Sequence, residues 1–295
     1  MDTSTQTKAS SDEVVASATD AQAGNKSWWT QNTMSYDWKD KVARAEFSRE
    51  WFDEIDARFI DAARHFAHDE RPFGRIIPFD AIAGKKVLEI GCGMGLHTEL
   101  MARAGAQVTA LDISPKSVAA TKARLALKGL TADVREVDAE TLDAQNEYDL
   151  IWSWGVIHHS ARTGRVLRNL YEALKPGGEL RFMVYSLDGM QAYAVIVSQY
   201  LFGFWRGRSL DELLWRSTDG FLARYFTRDS LSNLCRTFFD DVELQVFGLE
   251  ADAVPLPSAL RKLVRPFVSD RYIEKAVRRR GTFLFATATK QGGPA

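Results

Sequence analysis

The chain is poor in several features that identify particular classes of protein. It has two cysteines among 295 residues, too few for a disulfide framework or a cysteine metal site, and we expect no bound metal. Its net charge of −1 gives no general reason to expect a nucleic-acid partner. Its first 26 residues are polar and lack the apolar core of a signal peptide. These absences predict a cytoplasmic protein that binds neither nucleic acid nor a metal ion.

Long apolar runs are also scarce. Residues 189–205 carry no charge, but these 17 residues reach only the lower limit for a membrane-spanning helix. Gln191, Ser198 and Gln199 interrupt the run. We therefore expect a buried helix or a lid, with contact to a membrane as the alternative.

A glycine-rich turn stands at the centre of the sequence. Residues 87–90 form a short apolar run that predicts a buried parallel strand, and a helical pattern begins at Leu96. The turn between them contains Gly91, Cys92, Gly93 and Gly95. Glycine lets a ligand approach the main chain closely, and the free N–H groups of a helix N-terminus face that ligand.

Glu89 precedes this turn by two residues and constrains the type of ligand. A carboxylate there would repel the pyrophosphate of a dinucleotide but suits a ligand that carries an ammonium group. S-adenosylmethionine, which has an amine and a sulfonium cation, meets this requirement. The alternative is a packing turn that binds no ligand.

Asp112 ends the next predicted strand, residues 107–112. It lies 21 positions after Gly91, about the offset at which a second strand delivers a carboxylate to ribose hydroxyls. Asp112 could instead cap the following helix, but Ser114 and Pro115 already supply that signal. We therefore expect Asp112 to bind a ligand.

Strands and helices continue to alternate after Asp112. Strands are predicted over residues 132–137, 148–154 and 179–185, with Asp138 and Ala139 following the first of these. Asp138 could accept a hydrogen bond from an adenine amino group or cap a helix. This alternation predicts a doubly wound α/β sheet that binds ligands at the carboxyl ends of its strands.

Five motifs together resemble the class I S-adenosylmethionine-dependent methyltransferases, especially the small-molecule enzymes similar to those that methylate ubiquinone and menaquinone precursors. They span residues 84–185. The motifs are Val-Leu-Glu-Ile-Gly-Cys-Gly-Met-Gly at 87–95, Ala-Leu-Asp-Ile-Ser at 110–114, Val-Asp-Ala-Glu at 137–140, Tyr-Asp-Leu-Ile-Trp-Ser at 148–153 and Leu-Lys-Pro-Gly-Gly-Glu-Leu at 174–180.

The resemblance implies a Rossmann-like, doubly wound sheet of seven strands with the last strand antiparallel. The two further strands would be residues 242–247 and 282–289. It also implies S-adenosylmethionine as cofactor and S-adenosylhomocysteine as product. The implied contacts are Gly91 and Gly93 with the methionine part, Glu89 orienting the turn, Asp112 with the ribose, Ile113, Asp138 and Ala139 with the adenine, and Ser153 and Trp154 near the methyl group.

His158 and His159 follow the fourth predicted strand and are the candidates for a general base. Imidazole titrates near neutral pH, which suits proton removal from an acceptor. The alternative is that the pair shapes the loop, because alignment of the reactants alone can supply much of the rate enhancement.

The segments that flank the motifs are rich in aromatic residues. Residues 28–38 would either pack as a strap or close over the cofactor as a lid, with Tyr36 or a tryptophan against the ligand. In the insert at residues 186–225, Tyr193, Tyr200 and Trp205 would either line an acceptor pocket or belong to a helix pair that extends the core.

These observations predict a disordered tail over residues 1–26, an N-terminal helical lid segment over 27–80 and a methyltransferase domain over 81–290, with a second insert at 249–280. The expected reaction is O-, N- or C-methylation of a small molecule in secondary or cell-envelope metabolism. One alternative is a quinone or lipid methyltransferase at the membrane surface. The other is a non-catalytic domain that binds S-adenosylmethionine.

Overall fold

Eight strands form one sheet in the computed structural model, which describes residues 18–36, 41–67, 71–202 and 207–292. The strands lie in the order β3-β2-β1-β4-β5-β8-β7, and β6 pairs with β5. Their bounds are β1 Lys86–Ile90, β2 Gln107–Asp112, β3 Asp133–Glu136, β4 Tyr148–Trp154, β5 Leu174–Ser186, β6 Tyr225–Phe226, β7 Asp241–Phe247 and β8 Phe283–Thr289.

The register of the parallel strands brings three of the predicted loops to one edge. Ile90 at the end of β1 pairs with Leu111 of β2 on one side and Ser153 of β4 on the other. The strand order reverses between β1 and β4, so the connections leaving these strands diverge and leave a crevice. The residues that follow β1, β2 and β4 therefore meet around this crevice.

Twelve α-helices lie in the described part of the chain. They are α1 Ala18–Gln31, α2 Arg49–Ala62, α3 Arg64–Ala67, α4 Leu96–Arg103, α5 Pro115–Lys128, α6 Thr163–Ala173, α7 Met190–Leu201, α8 Leu210–Trp215, α9 Arg228–Cys235, α10 Glu250–Ala253, α11 Ser258–Val264 and α12 Asp270–Arg280.

Local sequence explains the bounds of α5. The hydroxyl of Ser114 accepts a hydrogen bond from Ser117 N, Pro115 occupies the first turn, and Gly129 ends the helix in the left-handed conformation.

Apolar residues on both faces of the sheet form the core, because successive strand residues point to opposite faces. Trp152 packs in one apolar cluster and Ile151 in the other.

The predicted α/β sheet with an antiparallel last strand is confirmed, since β8 runs antiparallel to both β5 and β7. The predicted number of seven strands is wrong. The two residues of β6 add a short eighth strand by pairing with Tyr185 and Ser186, and so short a strand leaves no periodic pattern in the sequence.

The prediction of disorder through residue 26 is also wrong, because α1 begins at Ala18. Polar side chains of α1 bond to distant residues, so the helix is held by tertiary contacts that composition does not show. Residues 1–17 of the predicted tail lie outside the described residues. No helix that the structure describes combines the length and the apolar character needed to cross a membrane.

Candidate cofactor and acceptor site

A cavity of about 340 Å³ opens at the carboxyl ends of β1, β2 and β4. Residues from the predicted motifs line it, as do residues of α1, α2, β5 and the segment before β6. Nine of the predicted site residues are in the lining: Tyr36, Gly91, Gly93, Asp112, Ile113, Asp138, Ala139, Trp154 and His159.

Gly91 and Gly93 both line the cavity, but glycine is needed at these two positions for different reasons. Gly91 has φ of 78°, and a Cβ there would lie 2.1 Å from Cγ2 of Val156, so the position has no room for a side chain. Gly93 has φ of 53°, but nothing lies within 4 Å of where its Cβ would be. The open space at Gly93 is where a ligand can approach the main chain.

Asp112 connects the ends of β1 and β2. Its carboxylate accepts hydrogen bonds from Gly93 N at 2.9 Å and Ser114 N at 2.8 Å. Burial raises the pKa of Asp112 to about 6, although these backbone hydrogen bonds lower it. Asp112 is in the cavity lining, where its carboxylate oxygens can accept a hydrogen bond from a sugar hydroxyl.

Glu89 lies beneath the turn rather than in the described lining of the cavity. Its carboxyl group accepts a hydrogen bond from the Thr98 hydroxyl, and it is 1% exposed. Burial raises the pKa of Glu89 to about 8 and lowers that of His97, whose Nδ1 lies 3.8 Å away, to about 3. Both groups are therefore neutral at pH 7, and their contact is not an ion pair.

The other two residues of the turn pack inward against α5. Cys92 is buried, its Sγ lies 3.4 Å from Thr121 Oγ1, and burial raises the pKa of its thiol well above the usual value. Gly95 caps α4 with φ of 81°, and a Cβ there would lie 2.9 Å from the same hydroxyl. Neither residue is in the described lining.

Asp138 fulfils the capping role and also faces the cavity. Its Oδ1 accepts hydrogen bonds from Glu140 N and from Gln22 Nε2, each at 2.9 Å. The first of these caps the short 3₁₀ helix Ala139–Thr141. The capping interpretation is therefore confirmed, and contact between Asp138 and an adenine stays a prediction.

Helix α1 lines this end of the cavity. Trp29 lies in the segment 28–38 that was predicted to be a strap or a lid, whereas the part of α1 before residue 27 was predicted to be disordered. Gln22 Oε1 accepts from Ala161 N at 3.1 Å, and Asn25 Nδ2 donates to the carbonyl of His159 at 2.6 Å. Gln22, Asn25 and Trp29 all line the cavity. The spacing of Gln22 and Asn25 by three residues, about one helical turn, is a signal that would place both side chains on one face of a helix.

Aromatic residues line a large part of the cavity. Trp154 is in the lining, whereas Ser153 is buried in β4 and is not among the described lining residues. Tyr36 stacks on Phe59 with ring centroids 4.6 Å apart, and burial raises the pKa of its phenol. We call this region, formed by Tyr36, Trp154, Tyr185, Tyr225 and Phe283, the aromatic end of the cavity.

The two adjacent histidines occupy different environments. His159 lines the cavity, and its Nδ1 lies 2.6 Å from the carbonyl oxygen of Leu222. His158 is 0% exposed, packs 4.1 Å from the ring of Tyr185, and neither ring nitrogen has a hydrogen-bond partner in the described structure. Burial holds the pKa of His158 well below its usual value. His158 is thus not placed to contact an acceptor in the cavity.

The segment before β6 supports His159 and was missed in the sequence. Gly220 has φ of 92°, and a Cβ there would lie 2.6 Å from Nδ1 of His159. Arg224 N donates to the carbonyl of His158 at 2.9 Å, and Arg224 Nη2 donates to that of Ala161 at 2.9 Å. Thr218 and Asp219 of this segment also line the cavity.

The aromatic residues predicted to line an acceptor pocket lie elsewhere. Tyr193 is 49% and Tyr200 is 66% exposed on α7, and neither is in the described lining. The side of α7 that meets the protein carries Gln191 in the cavity lining and buried Ala192. The pocket prediction for the two tyrosines is therefore wrong, and Trp205 lies outside the described residues.

No group of three or more His, Cys, Asp or Glu side chains suited to a metal ion occurs among the residues that the structure describes. The groups around the cavity are instead main-chain N–H donors, carboxylate acceptors and aromatic rings. Such a site suits an organic ligand that carries hydroxyl and amino groups.

Comparisons with known proteins agree with this geometry. Residues 87–178 match a family model described as a methyltransferase domain. A ubiquinone biosynthesis O-methyltransferase of Pseudomonas savastanoi pv. phaseolicola is 30% identical over 168 residues, which cover 54% of this chain and 71% of that protein. One of Stutzerimonas stutzeri is 32% identical over 124 residues, so this chain spans 53% of that relative and the match covers 41% of this chain.

Solved structures show a similar fold. A chain from the complex between the Haloferax volcanii Trm112 methyltransferase activator and a methyltransferase aligns with a TM-score of 0.54 and 17% identity, covering 85% of this chain and all of that one. Haemonchus contortus phosphoethanolamine N-methyltransferase 2, solved with phosphomonomethylethanolamine and S-adenosylhomocysteine, aligns with a TM-score of 0.50 and 18% identity over 74% of this chain and 52% of that one.

Proposed function

The chain belongs to the class I S-adenosylmethionine-dependent methyltransferases, and from this premise we propose that it methylates an oxygen, nitrogen or carbon of a small molecule with an apolar, ring-containing body. One observation carries the proposal. A single cavity is lined both by the glycine turn, Asp112 and Asp138 and by the residues of the aromatic end. In this proposal residues 81–290 form the methyltransferase domain, and α1 and α2 cover its cofactor site.

The glycine turn and the residues after β2 and β3 fit S-adenosylmethionine. We propose that Gly91 and Gly93 receive its methionine part through the main chain, where Gly93 leaves open space. The Asp112 carboxylate holds the ribose hydroxyls, Ile113 packs on the adenine, and Asp138 and Ala139 contact the adenine edge. Glu89 supports the turn from below by its bond to Thr98. When bound, the cofactor supplies an electrophilic methyl group on a sulfonium.

The residues at the aromatic end are suited to hold the acceptor. Trp154, at the end of β4, and Tyr185, at the end of β5, offer ring faces and edges to a planar or apolar molecule. Burial raises the pKa of Tyr185 and Tyr225, so both phenols stay protonated and can donate hydrogen bonds. This end orients the acceptor and excludes water from the reacting atoms.

His159 is the proposed general base. A carbonyl oxygen only accepts, so the contact with Leu222 places the ring hydrogen on Nδ1. In the neutral ring Nε2 then carries the lone pair that accepts a proton from an acceptor hydroxyl or amine. The buried His158 supports the ring of Tyr185 and takes no part in proton transfer.

A phenolic quinone precursor is the second candidate for the acceptor. The observation in its favour is that the relatives at about 30% identity are named ubiquinone biosynthesis O-methyltransferases. The aromatic end of the cavity can accommodate a phenol ring. The remaining alternative is a domain that binds the cofactor without catalysis. A turnover assay would distinguish this alternative from both candidate acceptors.

Two measurements test the proposed function. Calorimetric titration with S-adenosylmethionine and S-adenosylhomocysteine should give saturable binding, whereas NAD should not bind. Transfer of a labelled methyl group to phenols, catechols and aromatic amines should then give turnover with at least one class. Saturable binding without turnover on any acceptor would leave only the non-catalytic alternative, and absence of binding would contradict the proposed site.

A further inference from the structure

The short helix α11 and the turn after it expose an apolar face. Of the large apolar side chains in this segment, Leu256 is 38% exposed, Leu260 50%, Leu263 70%, Val264 38% and Phe267 88%. No residue of α11 is buried. Within α11, at about 100° per residue, Leu260, Leu263 and Val264 fall within one arc of about 100°. Leu256 precedes this helix, and Phe267 lies in the 3₁₀ turn that follows it. We call these five residues the apolar stripe.

Arg261 and Arg265 of the same segment are turned toward the protein. Arg265 Nε donates to Glu250 at 3.0 Å and Arg265 Nη1 to the carbonyl of Val268 at 2.9 Å, while Arg261 Nη1 donates to the carbonyl of Leu256 at 3.2 Å. Both arginines are half-buried, whereas the apolar stripe is exposed. This arrangement is the reverse of a normal surface helix, which buries its apolar face.

Glu250 fixes this orientation. Arg64 of α3 also donates to its carboxylate, so arginines from two parts of the chain converge on one acid. Partial burial acts to raise the pKa of Glu250, but the hydrogen bonds from Arg64 and Arg265 outweigh it and lower the pKa. The carboxylate is therefore ionised at neutral pH, and it holds α11 with its apolar stripe outward.

Charge on the segment indicates which partner covers the stripe. Residues 256–280 contain eight lysines and arginines and two acidic residues, a net charge of +6 in a chain whose total is −1. The α12 part of this segment exposes Arg271, Lys275 and Arg278–Arg280. Two copies of the chain that met through this surface would bring like charges together, which opposes association. An anionic lipid surface complements both the charge and the apolar stripe.

We propose that the apolar stripe inserts into the interface of a membrane containing anionic lipids, with the exposed basic residues of α12 against the headgroups. The insert that carries the stripe begins and ends at the cavity, since Leu249 before α10 and Thr282 and Phe283 after α12 are all in the lining. This inference concerns the location of the protein and holds for any acceptor.

Co-sedimentation with lipid vesicles tests the inference. The full chain is mixed with vesicles of phosphatidylcholine and phosphatidylglycerol, and separately with vesicles of phosphatidylcholine alone. We expect binding to the mixed vesicles that is weaker without phosphatidylglycerol and weaker at high salt. The double variant Leu263→Ser/Phe267→Ser should lower the partition coefficient at least about tenfold, because two exposed apolar anchors are lost.

Leu127→Ser is the matched control. Leu127 is also an exposed leucine, at 38%, but it lies on α5 outside the apolar stripe, and its replacement should leave vesicle binding unchanged. Because all three substituted residues are exposed, the variants should keep the melting temperature of the parent. The inference is overturned if the chain does not sediment with the mixed vesicles, or if the double variant binds as well as the parent. It is also overturned if the stripe mediates concentration-dependent dimerisation that the double variant abolishes.

Discussion

The imidazole Nδ1 of His159 lies 2.6 Å from the carbonyl oxygen of Leu222, a residue 63 positions later in the chain. This hydrogen bond fixes the tautomer of a histidine that lines the cavity. Its neighbour His158 packs against the ring of Tyr185, and neither of its ring nitrogens has a hydrogen-bond partner in the described structure. The pair therefore offers one candidate base and one structural residue.

His159→Gln should lower turnover by about 10²–10⁴-fold while leaving the affinity for S-adenosylhomocysteine nearly intact, because the lost function is proton removal. Steady-state rates and calorimetry on the same preparation provide the two readouts. His158→Leu is the comparison, and the folded fraction of that variant should turn over at close to the parental rate. Equal losses of rate and cofactor affinity in His159→Gln would make this residue a binding or structural group.

Asp112→Asn should weaken the binding of S-adenosylmethionine by ~1.5–3 kcal/mol, the usual contribution of hydrogen bonds to a charged group. The amide oxygen can still accept from one of the two main-chain donors, Gly93 N or Ser114 N, so the fold should persist. Calorimetric titration measures the change. Asp240→Asn, an exposed position far along the chain, is the control and should bind normally. Unchanged affinity in Asp112→Asn would remove this carboxylate from the cofactor site.

Gly91→Ala should lower the stability of the protein, whereas Gly93→Ala should lower its affinity for the cofactor. The added methyl at Gly91 meets Val156 at 2.1 Å, so the free energy of unfolding should fall by about 1–3 kcal/mol or more. Val156→Ala in the same chain should restore part of the loss by removing the clashing methyl groups. Chemical denaturation of the single and double variants measures both effects, and a double variant no more stable than Gly91→Ala would show that the clash is not the cause.

At Gly93 the added methyl enters open space, so Gly93→Ala should unfold at nearly the parental midpoint, with only about 1 kcal/mol lost to its positive φ. Its affinity for S-adenosylmethionine should nevertheless fall at least tenfold, roughly 1.4 kcal/mol, because the methyl occupies the approach to the main chain. Normal cofactor affinity in this variant would place the ligand away from Gly93.

Glu89 should make the stability of the ligand-free protein depend on pH. Burial raises its pKa from 4.5 to about 8 in the folded state, so the folded protein holds a proton that the unfolded chain releases. This contribution to stability is complete below about pH 4.5 and is lost as the pH rises through about 8, at roughly 1.4 kcal/mol per pH unit. Glu89→Gln, which keeps an acceptor for Thr98, should lack this dependence.

Urea denaturation of both proteins at several pH values in this range measures the difference. We expect the glutamine variant to gain stability relative to the parent as the pH rises. A constant difference between the two proteins would mean that Glu89 titrates normally in the folded state.

Much of the architecture follows from local sequence. The ends of β2 and β4 and the start of α5 lie where the apolar runs and the Ser114 and Pro115 signals predicted them. The edge of the sheet at which Gly91, Asp112 and Trp154 meet also follows, because consecutive parallel strands end on the same side. These features depend on contacts between residues close in sequence and on the handedness of the chain.

The sequence by itself therefore determined the alternating strands and helices, the glycine turn and the carboxylates at the strand ends. Only the tertiary structure decided that α1 binds Asp138, that the segment before β6 holds His159, and that Tyr193 and Tyr200 face outward. The reason is physical. Neighbouring residues in a loop can point in opposite directions, and which of them meets a cavity depends on packing against residues more than 60 positions away, as for His159 and Leu222.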